Sequence, residues 1–143
     1  MLKKLNEIII QTQIAVKAMP LLLKFFTLSG IMGFLFVVVP LMPFGTYKIS
    51  GEEVTFKEFW LTGAAPCMIV TGILLFLAGI GFITKDKKAR IYFILAWVSS
   101  YLYPAFVMES SNYNLINLSF FLFFLLFFIW YLFGSKAVRQ YFS

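Results

Sequence analysis

The chain has 143 residues, of which 62% are hydrophobic and 13% charged, with a net charge of +6. A soluble domain carries about 25% charged residues, and a fold this small cannot bury so much apolar surface; a bilayer accepts it as the protein's exterior. The single Cys67 excludes an internal disulfide or dithiol redox pair, and the lack of any His removes the commonest metal ligand and general base.

Residues 1–19 alternate apolar and polar positions. Leu2, Leu5, Ile8, Ile9, Val16 and Met19 can share a helical face, while Lys3, Lys4, Glu7, Gln11 and Lys17 keep the rest polar. Ile10 and Ile14 widen the apolar side. The segment reads as an amphipathic interfacial helix whose lysines meet anionic headgroups. A signal peptide would need an unbroken apolar core, and Gln11-Thr12-Gln13 interrupts it. Pro20 marks a helix end or a turn.

Four apolar runs follow, at about 25–43, 61–84, 91–108 and 115–133. Each approaches the length that crosses about 30 Å of hydrocarbon at 1.5 Å per residue. Lys3, Lys4, Lys17, Lys24, Lys85, Lys87, Lys88, Arg90, Lys136 and Arg139 then fall on one side, ten of the 12 basic residues. The opposite side holds Lys48 and Lys57 with Glu52, Glu53, Glu58 and Glu109. The positive-inside rule makes the basic side cytoplasmic. The expected fold is therefore an all-α integral membrane protein: four transmembrane helices, both termini inside, preceded by the interfacial helix. Residues 1–19, 20–134 and 135–143 would be the interfacial helix, the bundle and a basic cytoplasmic tail. Lys3, Lys4, Lys87, Lys88, Arg90 and Arg139 are the expected headgroup contacts.

The first outer segment, 45–60, contains Thr55-Phe56-Lys57-Glu58, which fits a capping box and starts a helix in the headgroup region. The second apolar run carries small residues at heptad spacing, Ala65, Gly72 and Gly79. They form a seam for close helix approach, either to Gly30 and Gly33 of the first run or to a partner's helix. The fourth run is the opposite: Ser119–Phe133 has aromatics on every face and no Gly or Ala. It would pack loosely and face lipid or a partner.

Pro40, Pro43, Pro66 and Pro104 all lie toward the outer ends of their runs. Each frees a carbonyl that water or a hydroxyl must satisfy. Ser99, Ser100, Tyr103 and Glu109 lie near Pro104 and are candidates for a polar, outward-facing groove.

Metal, Ser-His-Asp and phosphate-loop chemistry lack their residues; Gly79-Ile80-Gly81 sits inside an apolar run with no strand before it. The Asn117-Leu118-Ser119 sequon abuts the fourth run, where glycosylation is sterically disfavoured. Small multidrug exporters are similar in length but carry a glutamate in helix one, absent here, and four-helix thiol oxidases need cysteine pairs. The tail Gly134-Ser135-Lys136-Ala137-Val138-Arg139-Gln140-Tyr141-Phe142 resembles the ending of small four-helix bacterial inner-membrane proteins. That resemblance implies a bacterial inner-membrane setting and no activity. The expectation is a non-catalytic accessory subunit or assembly factor, without a cofactor. It would contact membrane lipids and another membrane protein or a second copy, and not nucleic acid. A small oligomeric transporter or lipid translocator, or a bacteriocin immunity protein, are the alternatives.

Overall fold

The computed structural model describes the backbone of residues 2–49, 51–107 and 115–143, and the side chains of these apart from 2–5, 8, 103–107, 115 and 116. Helix α1 spans Leu2–Ala18 and α2 spans Leu21–Val38, separated by Pro20 in an extended conformation. A 3-10 turn, Val39–Leu41, ends α2 at Pro40. Strands β1 (Tyr47–Ile49) and β2 (Glu52–Val54) form an antiparallel hairpin with Tyr47 opposite Val54. Then come α3 (Phe56–Leu61), α4 (Ala64–Ile83), α5 (Ala89–Val107) and α6 (Leu115–Ile129). A π-helical turn, Trp130–Gly134, leads into α7 (Lys136–Tyr141).

Among the described residues, three helical stretches are long and apolar enough to cross a membrane: Leu21–Leu41, Ala64–Ile83 and Asn117–Gly134. They mark the chain as a membrane protein. The apolar part of α5, Ala89–Leu102, is shorter. The boundaries differ from the sequence expectation in three places. Helix α2 starts a turn earlier than residue 25, so Lys24 lies within it. The run 61–84 is broken, because Gly63 takes a left-handed conformation (φ 83°) between α3 and α4. Pro66 consequently falls in the first turn of α4, where its missing N–H costs no helical bond. The segment 45–60 carries a hairpin as well as the expected capping box. In that box Thr55 Oγ1 accepts from Glu58 N at 3.3 Å and Glu58 Oε2 accepts from Thr55 N at 2.8 Å. The Thr55 backbone N–H, and then its hydroxyl, hold the Glu58 carboxyl below its usual range. The box therefore stays closed at neutral pH.

The long helices alternate in direction. Gly30 meets Gly79 while Gly33 meets Gly72, so α2 and α4 are antiparallel. Thr71 meets Ser99 near one end of α4, and Gly81 meets Ala89 at the other, so α4 and α5 are antiparallel too. Tyr101 stacks on Phe121 at 3.9 Å and Phe93 meets Phe128 edge-on, which reverses α6 against α5.

Two kinds of contact hold these helices. Between α2 and α4 the backbones touch. A Cβ on Gly79 would lie 2.6 Å from Ile31 N, and one on Gly30 would lie 2.7 Å from Gly79 Cα. Between α5 and α6 the spacing is set by rings: Trp97 with Phe124 and Phe128, Tyr101 with Phe121, Phe93 with Phe128. Phe26 of α2 closes the set, stacked on Phe93 at 4.7 Å and edge-on to Phe128 at 5.2 Å.

The core is concentrated at the end where α2 and α5 begin and α4 and α6 finish. Leu23, Phe26, Phe82, Phe93, Leu132, Val138 and Phe142 are buried there. A smaller cluster at the other end joins Tyr47, Phe59, Ala64 and Ala65. Tyr47 OH donates to the carbonyls of Val39 (2.8 Å) and Met42, and Trp60 Nε1 to that of Pro40 (3.1 Å). The hairpin and α3 thus bond to the carbonyls where Pro40 ends α2, Val39 O accepting from Met42 N as well.

Helix α4 ends with Asp86 N donating to Gly81 O at 2.8 Å and with Lys85 left-handed (φ 58°). Glycine normally fills such a position; an L side chain there costs about 1 kcal/mol.

The glycine seam makes a direct test. Gly79→Ala gains up to about 1 kcal/mol of helix propensity but forces backbone apart. We expect a net loss of about 1–3 kcal/mol, read by denaturant titration in micelles. Leu126→Ala, on the exposed face of α6, should change the midpoint little.

Candidate functional site

The seam residues do not share one partner. Gly72 and Gly79 are buried against Gly33 and Gly30 of α2, within the chain. Ala65, fully buried, packs instead in the cluster at the hairpin end with Tyr47 and Phe59. The close-approach surface of α4 is therefore occupied internally.

Ser99 and Ser100 do not converge either, because adjacent helical residues point about 100° apart. Ser99 faces α4, where its hydroxyl lies 2.8 Å from Thr71 Oγ1 and its carbonyl takes the Cys67 thiol at 3.5 Å. Ser100 is exposed and its hydroxyl donates to Trp97 O at 2.8 Å. The Tyr103 side chain and Glu109 lie outside the described residues. Where Ser99 and Ser100 are concerned, the hydroxyls are occupied by helix–helix and local backbone bonds.

Lys87, Lys88 and Arg139 are exposed at the basic end. The side chains of Lys3 and Lys4 are outside the described set, although both residues lie in the first turn of α1. Arg90 behaves differently. Its guanidinium lies 4.3 Å over the Phe142 ring and 5.6 Å from that of Phe133. Its Nη1 donates to Leu132 O at 3.3 Å, a carbonyl within the π-helical turn. An arginine stays charged there. Arg90 fastens α5 to the end of α6 by a cation–π contact and a charge-assisted bond.

The terminal segment is the feature that charge counting misses. Val138, Tyr141 and Phe142 are buried, while Lys136 and Arg139 face outward. Tyr141 OH donates to Phe82 O at 2.9 Å, satisfying one of the last carbonyls of α4. Burial raises the Tyr141 pKa, so the phenol remains a donor throughout the neutral range. Lys85 Nζ sits 5.1 Å over the same ring. The signal was present as apolar residues at Val138, Tyr141 and Phe142, a helical spacing inside a basic tail.

Comparison with protein-family models, with curated proteins and with solved structures finds no match to this chain. Functional assignment rests on the surfaces alone. Among the described residues, no three His, Cys, Asp or Glu gather where a metal ion could sit. The largest departure from internal packing is α6. Phe120, Phe123, Leu126 and Trp130 are 62–65% exposed and recur every three or four residues, so they form one stripe.

The Tyr141 latch is testable. Tyr141→Phe keeps the ring under Lys85 and leaves the Phe82 carbonyl with only the longer bond from Lys85 N, at 3.4 Å. A loss of about 0.5–1.5 kcal/mol is expected, measured by thermal unfolding in micelles.

Proposed function

We propose that this chain is a non-catalytic accessory subunit or assembly factor of a larger membrane complex, docking through the exposed stripe of α6. The observation that carries the reading is the contrast between helices. The glycines that allow close approach are already spent between α2 and α4. In α6 the rings of Phe120, Phe123 and Trp130 point outward with Leu126. Aromatic side chains offer large contact areas with few rotamers to freeze, and they dominate the energetic centres of protein interfaces. Lipid covers such a face until a partner helix replaces it.

In this reading α2, α4, α5 and α6 are four spans with both termini in the cytoplasm. Supporting it, the four helices alternate in direction. Helix α5 has 19 residues, about 28 Å of helix against about 30 Å of hydrocarbon. The exposed lysines of the α4–α5 turn and of α7 lie at one end, the acidic hairpin at the other. The tail's resemblance to bacterial inner-membrane proteins supports that membrane as the setting. Helix α1 touches the bundle chiefly near Val16 and Met19, while Ile9, Ile10 and Ile14 stay exposed, as an interfacial helix requires.

A photo-crosslinking amino acid at Phe123 or Trp130, activated in native membranes, should yield a discrete adduct with one other membrane protein. The same probe at Leu28 of α2, also exposed, should yield lipid adducts only. Lipid adducts alone at all three positions would contradict the proposal.

A further inference from the structure

We infer that the cleft between the α1–α2 elbow and α7 binds the phosphate of an anionic phospholipid headgroup, with Lys85 as its principal cation. The inference rests on the reading that the basic end faces an anionic membrane surface. It adds a defined site to that diffuse contact.

The cleft is open to solvent, holds about 410 Å³ and is lined by Ala18, Met19 and Pro20 at the elbow, Lys85 of the α4–α5 turn, and Ala137, Gln140 and Tyr141 of α7. That volume suits a small polar group. Lys85 supplies positive charge and Gln140 an amide donor. The Tyr141 ring, 5.1 Å from the ammonium, helps fix the position of the lysine head.

The backbone of Lys85 is an independent observation. Its φ of 58° is the left-handed conformation that closes helix α4, a place where glycine is unstrained. A lysine there brings strain, and what it adds is a cation at the cleft. Strained residues of this kind cluster at ligand sites.

The electrostatics agree. Lys87, Lys88, Lys136 and Arg139 are exposed at the same end. The Asp86 carboxylate in the turn is engaged by Lys88 N at 2.9 Å. Among the described residues the one ion pair, Lys48 with Glu53, is at the other end of the molecule. Asp86 keeps its negative charge, but Lys85, Lys87, Lys88, Lys136 and Arg139 outnumber it, so the net field at this end favours an external anion.

The phosphate is assigned to a lipid because of what adjoins the cleft. The next stretch of α2 presents an exposed apolar face, Leu21, Phe25 and Leu28, with Lys24 beside it. An acyl chain can lie along that face while the headgroup reaches Lys85. A free phosphate would gain nothing from it.

The test is native mass spectrometry of the full chain from mild detergent, supplied with equal phosphatidylglycerol and phosphatidylcholine. The wild type should retain one phosphatidylglycerol selectively. Lys85→Gln and Lys85→Gly should lower that retention about five- to tenfold. Lys85→Gly relieves the left-handed strain, so its melting temperature should hold or rise, which separates lost binding from unfolding. Paired substitution of Lys87 and Lys88 by Gln weakens only the surrounding field and should lower retention less than either Lys85 variant. Wild-type retention in both Lys85 variants, or an equal loss in the Lys87/Lys88 variant, would overturn the site. Displacement of the lipid by equimolar glycerol phosphate would overturn the lipid assignment. No preference for phosphatidylglycerol in the wild type would instead remove the underlying reading of the basic end.

Discussion

Helices α2 and α4 meet backbone to backbone, and the positions of the other elements follow from that contact. Gly30 lies on Gly79 and Gly33 on Gly72, at separations that leave no room for a methyl group. In a bilayer there is little hydrophobic gain from pressing two apolar helices together. Association depends on the van der Waals contact that small residues allow. Once α2 and α4 are locked, the tight turn at Lys85 and Asp86 fixes where α5 starts. The Thr71–Ser99 hydroxyl contact at 2.8 Å then sets its register.

Helix α6 is held by a different device. Its rings fill the space between it and α5 and reach Phe26 of α2, so the helix is kept at side-chain length. Its far face remains exposed. The basic end compensates with specific anchors: Arg90 on Leu132 O and the Phe142 ring, and Tyr141 on Phe82 O. These close the termini of α4 and α6 in one cluster, and they leave Lys85 beside the cleft of the α1–α2 elbow. Rigid packing at this end and a broad aromatic face along α6 are the two features on which the proposed docking role rests.

Much of the architecture was legible from residue patterns. Unbroken apolar runs mark α2, α4 and α6, and the Thr55–Glu58 spacing marks the start of α3. The glycines of α4 pointed to a seam, although their partner could not be chosen without the fold. The break at Gly63 was hidden because apolar residues continue across it, and hydropathy carries no information about a single left-handed residue. Helix α2 was read too short because Lys24 looked like a boundary, whereas its long stem lets the charge reach past the helix. The π-helical turn and the inward turn of Arg90 depend on the docking of α7. That docking rests on three side chains, Val138, Tyr141 and Phe142, inside a segment whose charges suggested solvent.

The measurement that bears most directly on this arrangement is solid-state NMR in bilayers with glycine Cα labelled throughout. Through-space correlations should appear for Gly30 with Gly79 and for Gly33 with Gly72, without any substitution that disturbs the seam. Their presence would establish the α2–α4 contact on which the bundle is built. Absence of both, with the same glycines resolved and helical, would mean that α2 and α4 are not apposed in the membrane.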